Sequence, residues 1–507
     1  MIYPSEKEFL ETAKIGQISP IYKEIPYKDP QTFYEIIRSK NSILFQSIKG
    51  HFNTSRYSFI CFQPYLILKA SDSYTQISIV NDSKSNSKKS LSTKNPLQRL
   101  RELVTAYPQK PIDGLPPFQG GAAGILSYDY IRYLEKIPCS KVKDIDMPDA
   151  HFLMIDRMIS IDHKEKKAWI VYCPGARDYR LGYNKIDVDW RQKYLETCDL
   201  ISERQDMINN GLSKVQSNDS HINNQKKIEI IHSLEQAEYI NMVTRALEYI
   251  KAGDIFQANL SQRVCACISD TDPWQIYKIL SKINPSPFAC YLDFGDYQIA
   301  SSSPERLVKV EREKNDCPAI VATRPIAGTR SRGETKLQDI AMSKELLLNE
   351  KERAEHIMLI DLERNDIGRV CVYGTVKVDE LMITEEYSHV IHIVSNVVGQ
   401  LRPDKDCFDT VEAVFPGGTI TGVPKVRCME IINELEPTSR GAYTGSAGYF
   451  SFSKDMDFNI IIRTFFIKDK MAYVQAGAGI VADSVPEAEY KETLKKAEAL
   501  IKTLKTL

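Results

Sequence analysis

The chain has 507 residues, 43% hydrophobic and 26% charged, with a formal net charge of -1. That profile is an ordinary soluble globular protein, long enough for more than one domain, with no basic surface to hold a nucleic-acid backbone. Eleven cysteines stand without a regular framework, the closest pair being Cys265 and Cys267, which argues for reduced thiols rather than a disulfide scaffold or a zinc site. The polar N-terminus and the lack of any apolar run near ~18 residues exclude a signal peptide and a membrane span, so a cytoplasmic protein is expected.

Before residue 203 the texture is mostly β. The stretch 81–95 is rich in Ser, Lys and Asn and reads as an exposed loop. Pro116 to Gly121 breaks the chain ahead of another apolar run, and 151–173 reads as two strands around a charged turn, Asp162 to Lys167. Residues 203–227 carry almost no apolar side chains. They are either a linker or an insertion loop, and the expected division is 1–220 and 228–507.

After this stretch Ser233 and Gln236 suggest a capping box. The helix behind it carries Tyr239, Met242, Val243, Ala246, Leu247 and Ile250 at the 3.6-residue period and ends at Gly253. A second long helix is expected over Ser343 to Arg364 and a third from Glu487 to the end, with strands at Arg369 to Val378 and Phe458 to Phe466. Strand-rich segments interleaved with long helices favour α+β over a doubly wound parallel sheet.

Chemistry concentrates in two acidic helix faces. Glu352 and Glu355 stand three residues apart, and Glu489, Glu492 and Lys496 step by three and four, each set on one side of its helix. Such faces are either a solvated surface with intrahelical pairs or, taken together, oxygen ligands for a hard cation such as magnesium. Two Gly-rich runs, Phe415 to Lys425 and Gln475 to Ile480, read as anion nests or as plain turns. Arg463, in an apolar run read as a strand, needs an anionic partner or an ion pair.

From Gly253 to Leu500 the sequence resembles the chorismate-utilising family, which includes anthranilate synthase component I, aminodeoxychorismate synthase component I and the isochorismate and salicylate synthases. The resemblance rests on Gly253-Asp254-Ile255-Phe256-Gln257, Ser303-Pro304-Glu305, Pro325-Ile326-Ala327-Gly328-Thr329, Asp361-Leu362-Glu363-Arg364-Asn365-Asp366 and His389-Val390-Ile391-His392. A looser match covers Ser55 to Phe59 and Gln119 to Gly121. It implies one α+β body of two sheets with flanking helices. It also implies Glu355 and Glu492 as magnesium ligands, Glu352 and Glu489 as holders of metal-bound water, and Glu305 as the acid that protonates the leaving hydroxyl. Arg463, Tyr443, Gly477 and Gly479 match the clamp on the enolpyruvyl carboxylate. Lys496 and Thr419 match further substrate contacts, His392 matches a histidine beside the ring, and His389 is read as structural.

Gln257 stands where the isochorismate and salicylate synthases carry a lysine that activates water. A glutamine cannot act as that base, so the implied nucleophile is ammonia, supplied by a separate glutamine amidotransferase subunit. Ala327 stands where many aminodeoxychorismate synthases carry a lysine, which favours anthranilate as product. The stretches 253–263, 287–291, 301–306 and 415–418 look more like the aminodeoxychorismate branch, which serves folate synthesis. Gln46 and Ala289 replace a glutamate and a methionine of the tryptophan pocket of anthranilate synthases. The expected product is therefore 4-amino-4-deoxychorismate, with anthranilate as the alternative. A catalytically dead relative is disfavoured by the intact Glu305, Glu355, Glu492, Arg463 and Lys496.

Overall fold

The structure, a computed structural model, describes all residues except 49, 51–54, 73, 81–86, 93–94, 139–142, 180–187, 216–227, 270, 314–316, 334 and 387–389. In the strand Tyr57–Cys61, Phe59 and Cys61 join one buried cluster and Ile60 another, because successive strand side chains point to opposite faces. Every residue of Gly121–Leu126 and Ala150–Ile155 is buried, as in a sheet covered on both faces. The inner cluster draws Ile43, Phe59 and Trp169 from one sheet and Ala123, Leu153 and Tyr449 from another. Two antiparallel sheets thus face each other, with Phe118 stacked on Tyr449 at 4.3 Å between ring centroids. Burying a side chain of this size contributes roughly 1.5–3 kcal/mol.

Among the described residues one sheet has 13 strands and the other 12. The first includes Ser42–Gln46, Phe288–Asp293, Gln298–Ser303, Thr464–Lys468, Met471–Ile480 and Gln257–Cys267 in that spatial order. The second runs from Ile326–Ser331 and Val390–Gln400 through Arg306–Glu311, Ser446–Ser451 and Gly121–Leu126 to Ser87–Ser92. Helices cover the outer faces. Gln236–Lys251 buries Tyr239, Met242, Val243 and Ala246 and packs on Gln257–Cys267 and Pro486–Thr506. This is the α+β, two-sheet architecture with flanking helices that the sequence leads one to expect. No described helix is long and apolar enough to cross a membrane.

Local details differ from the sequence expectation. Both sheets take strands from each side of residues 220–228: Ser42–Gln46 pairs with Phe288–Asp293, and Gly121–Leu126 with Ser446–Ser451. The division at 1–220 and 228–507 therefore does not separate the sheets. The first part of the polar stretch is helical, within Trp190–Val215, and 216–227 lies outside the described residues. Part of the expected 81–95 loop is a strand, Ser87–Ser92, paired with Tyr74–Ile79.

The 151–173 segment holds three strands, because the chain passes from one sheet to the other at the buried Asp156, which accepts from Arg177 at 2.8 Å. Only Arg157–Asp162 and Lys167–Tyr172 form the expected hairpin. The capping box is Glu235 with Glu238, whose carboxylate accepts from the Glu235 amide at 2.7 Å; Ser233 instead accepts from the Arg263 amide. The helix expected over Ser343 to Arg364 is two, Lys336–Leu348 and Glu350–Gly368, broken where Asn349 caps the second by accepting from the Glu352 amide at 3.1 Å. The strand expected from Arg369 begins at Lys377. The one expected at Phe458 to Phe466 is split into Met456–Asn459 and Thr464–Lys468, so Arg463 lies between strands. The helix expected from Glu487 is Pro486–Thr506.

Candidate active site

The strand Thr464–Lys468 pairs with Met471–Ile480 only as far as Phe465 opposite Val474. Before Thr464 the chain turns away at Arg463, whose φ of 52° lies in the left-handed region. A non-glycine residue holds that conformation only where its surroundings fix it; here the Arg463 carbonyl accepts from the Ser302 amide at 3.2 Å. The turn leaves the Gly477–Gly479 edge open on one side. The other side stays paired to Gln257–Cys267, with Asn259 opposite Gly479 and Ser261 opposite Gly477.

Neither glycine has room for a side chain. A Cβ at Gly477 would sit 2.4 Å from Asn259 Oδ1 and 2.8 Å from the Tyr443 hydroxyl, and one at Gly479 would sit 2.5 Å from Gln257 Nε2. The Tyr443 hydroxyl accepts a hydrogen bond from the Gly477 backbone. Lys496 reaches in from Pro486–Thr506, donating to the Gly477 carbonyl at 3.1 Å and pairing with Glu492 at 2.8 Å.

Glu305 sits where the chain crosses from Gln298–Ser303 in one sheet to Arg306–Glu311 in the other. Its side chain is buried and accepts from the Thr419 hydroxyl at 2.8 Å. Burial pushes the carboxyl up to about 7, against the lowering pull of Thr419, Arg463 and Lys496. His392, on Val390–Gln400, is also buried, and burial with the charges of Arg463 and Lys496 holds it down at about 3, a neutral imidazole. Its Nδ1 lies 2.9 Å from the Thr329 hydroxyl and 3.3 Å from the Gly328 carbonyl. Ala327 lies opposite Ile393, and a Cβ at the neighbouring Gly328 would meet Glu352 Oε2 at 3.0 Å.

The two acidic faces meet the same charges. Glu355 is raised first by burial and then by Glu352, while Lys351, the Gln257 amide at 3.1 Å and Lys496 lower it. Glu489 is raised first by burial and also by Glu492, and lowered by Ser484, Lys496 and Lys351. Lys351 and Lys496 come from different helices yet act on both glutamates, so the two faces flank one cleft. Glu352 also accepts from Arg330 at 3.1 Å. No three His, Cys, Asp or Glu side chains among the described residues form a metal-sized group. The four glutamates nonetheless suit magnesium in kind: all oxygen donors, two of them destabilised by a like-charged neighbour.

Several organising residues escape a sequence reading. Arg440 is buried and donates to Glu436 at 2.7 Å, to the Ile420 carbonyl at 3.0 Å and to the Asn259 carbonyl at 2.6 Å; the i, i+4 spacing of Glu436 and Arg440 is the signal that finds the pair. Lys425 donates to Asp366 at 2.5 Å, fastening the Gly-rich loop to the helix Glu350–Gly368. Glu363 is buried on that helix within the electrostatic reach of Glu305, and its burial raises it. In the sequence it stands within the motif Asp361 to Asp366, two helical turns beyond Glu355, with no role read for it. His389 lies outside the described residues.

Apart from this cleft, Gln46, Ser47, Pro287, Phe288 and Ala289 line a cavity of about 260 Å³. The Gln46 side-chain oxygen is already engaged there, accepting from Tyr277 at 2.8 Å and Gln31 at 3.1 Å.

The chorismate binding enzyme family matches residues 41–502. Anthranilate synthase component 1 of Acetivibrio thermocellus is 41% identical over 99% of both chains. Aminodeoxychorismate synthase component 1 of Bacillus subtilis (strain 168) is also 41% identical, over 97% of this chain and 98% of its own. The crystal structure of anthranilate synthase component I from Streptococcus pneumoniae TIGR4 superposes with a TM-score of 0.73 at 33% identity, covering 88% of this chain and 92% of that one. With the family matched over most of its length, this chain belongs to the chorismate binding enzymes.

Proposed function

We propose that this enzyme places ammonia on the ring of chorismate and forms 4-amino-4-deoxychorismate, taking its ammonia from a glutamine amidotransferase subunit. The observation that carries the reading is Glu305: a buried carboxyl poised at about 7, held by Thr419 and flanked by Arg463 and Lys496. A hydroxyl leaves a ring carbon poorly unless it is protonated, and an acid with a value near neutrality can both hold and release that proton. Gln257, which donates to Glu355, has no basic nitrogen and cannot activate water. Ammonia needs no base to attack.

Each residue then has a task. Arg463, Tyr443 and the Gly477–Gly479 edge hold the enolpyruvyl carboxylate in place. Lys496 adds positive charge, and the neutral His392 borders the ring. When bound, magnesium supplies a charge sink for the ring carboxylate; Glu355 and Glu492 would hold it, with Glu352 and Glu489 keeping its water. Ammonia's lone pair forms the bond to carbon 2 while the bond from carbon 4 to oxygen breaks, and Glu305 gives its proton to the departing oxygen, which leaves as water. A second ammonia attacks carbon 4 as the first departs. Because Ala327 cannot form a covalent adduct, the clamp retains the 2-amino intermediate, with the enolpyruvyl group still attached.

The alternative product is anthranilate, with loss of pyruvate. Ala327 favours it, while the identity is the same 41% to one relative of each name. Against feedback by tryptophan stands Gln46, which carries no charge and whose side-chain oxygen already serves Tyr277 and Gln31. The test is to incubate the chain with chorismate, magnesium and ammonium salt, with and without an aminodeoxychorismate lyase. Formation of 4-aminobenzoate only with the lyase is expected. Stoichiometric anthranilate and pyruvate without it would overturn the reading in favour of the alternative. Glutamine should replace ammonium only after an amidotransferase is added.

A further inference from the structure

The glutamates of the two acidic helices differ in their partners. On Glu350–Gly368, Glu352 accepts from Arg330 at 3.1 Å, whereas Glu355 accepts from the Gln257 amide at 3.1 Å. On Pro486–Thr506, Glu492 pairs with Lys496 at 2.8 Å, and Glu489 takes a hydrogen bond from Ser484. Each helix thus has one glutamate on a cation and one on a neutral donor. Lys496 already has a place in the substrate site. Arg330 has none, and it comes from neither helix but from the strand Ile326–Ser331.

A bulge brings that strand against both helices that follow it. Its register with Val390–Gln400 shifts between Ala327 and Thr329, and Gly328 between them has a φ of 68°. A Cβ at Gly328 would meet Glu352 Oε2 at 3.0 Å and Leu346 Cδ1 at 3.1 Å. Arg330 Nε and Nη2 donate to Glu345 at 2.9 and 3.0 Å, a bidentate grip that fixes the guanidinium plane. Nη1 is thereby aimed at Glu352 and at the Thr329 carbonyl, 2.9 Å away. Glu345 lies on Lys336–Leu348, a helix with little packing of its own: its buried residues are Asp339 and Leu346, while Leu337 and Leu348 are 79% and 74% exposed. Polar contacts hold this helix instead. Asp339 accepts from Arg332 and from the Gly333 amide, and Glu345 accepts from Arg330.

We propose that Arg330 is the resident counter-ion of Glu352 and yields that carboxylate when magnesium enters, after which Glu345 keeps the guanidinium to itself. The inference rests on the magnesium reading of the four glutamates. A carboxylate cannot serve a guanidinium and a divalent cation at full strength together, because the two cations repel each other at that distance. Arg330 touches no reacting atom and is a positioning residue: it neutralises Glu352 before the metal binds. Glu345 sets how firmly it does so, since one rigid guanidinium plane carries both contacts. Once Glu352 is taken, the charge of Arg330 falls on Glu345 alone and the hold on Lys336–Leu348 tightens. Metal occupancy is thereby passed to a helix that supplies no ligand of its own.

The test is calorimetric titration of magnesium, with chorismate saturating and ammonium absent, into wild type, Arg330→Gln, Arg330→Lys and Glu345→Gln. Removing the competing charge in Arg330→Gln should tighten magnesium binding about tenfold. Glu345→Gln should weaken it about threefold, because the guanidinium then belongs to Glu352 alone. Arg330→Lys keeps the charge and should stay within about twofold of wild type. A merely structural role would weaken binding in all three. Amide hydrogen exchange of Lys336–Leu348 should slow when magnesium is added to wild type and stay unchanged in Arg330→Gln. Thermal unfolding identifies a variant that has lost its fold, and should Arg330→Gln be one, the weakening in Glu345→Gln carries the test alone. Magnesium bound no tighter by a folded Arg330→Gln, or helix exchange that ignores the metal, overturns the proposal while the magnesium reading stands. A wild type that binds no magnesium overturns both.

Discussion

The helices Glu350–Gly368 and Pro486–Thr506 each carry two glutamates three residues apart, and the protein treats them differently. On the first, Glu355 is half-buried, held by Gln257, and followed two turns later by the buried Glu363. On the second, Glu492 lies half in solvent at 50% side-chain exposure, paired with Lys496 at 45%. The same spacing in sequence thus places one carboxylate, Glu355, half-buried against Gln257 and another, Glu492, half in solvent against Lys496, while Glu489 on the second helix is raised by burial as Glu355 is on the first. Desolvation raises Glu355, with Glu352 adding to it, so Glu355 gains from a cation in a way that the solvated Glu492 carboxylate does not.

That contrast is most exposed to test at Glu355. Glu355→Gln should fold and lower kcat/KM by about 10³-fold, and chelator should silence the wild type reversibly. Full turnover in excess chelator would sink the metal reading and, with it, the distinction between the helices.

Glu305 offers the next largest effects. Glu305→Gln should lower kcat by about 10²–10³-fold, the range for a lost general acid. At constant free ammonia, wild-type kcat should fall as pH rises through about 7, where the carboxyl loses its proton, and the variant should lack that limb. The same group makes a statement about stability. Its folded value is raised from 4.5 to about 7, so between those values the folded chain binds a proton the unfolded chain has released. Stability is therefore lost as pH rises from the ordinary value through the folded one, and the cost above it is about 3 kcal/mol. Denaturant midpoints should show Glu305→Gln gaining on wild type by that order near pH ~8 and little near pH ~4. A constant difference across pH would mean that Glu305 is ionised at no cost.

How far the sequence alone reaches follows the same physical line. Helical patterns located Gln236–Lys251, through its 3.6-residue apolar period, and Pro486–Thr506, and one stripe of each is buried. They missed the break at Asn349, since a polar cap inside a polar helix leaves no hydrophobic signature. Arg463 was singled out as a charge in an apolar run, but its left-handed backbone, which opens the cleft, is set by tertiary contacts and has no local glycine to announce it. The family motifs carried Glu305, Thr419 and Lys496, which the structure brings within electrostatic or hydrogen-bond reach of one another. Arg440 and Asn259 went unread because their roles lie in carbonyls and amides distant in the chain.

The smallest expected effect bears most directly on the two helices. Glu492→Gln removes a carboxylate that is half exposed and paired with Lys496. Exposed pairs of this kind are worth little to folding, so the denaturation midpoint should stay where it is. The loss in kcat/KM should be about tenfold, well short of that at Glu355, and the freed Lys496 should remain bonded to the Gly477 carbonyl. Raising magnesium should recover much of the Glu492→Gln loss and little of that in Glu355→Gln, because a solvated ligand is replaced by water more readily than a desolvated one. Parallel magnesium titrations of the two variants decide the matter. Equal losses with equal rescue would mean that burial does not rank these carboxylates, and that the two acidic faces act as one symmetrical set.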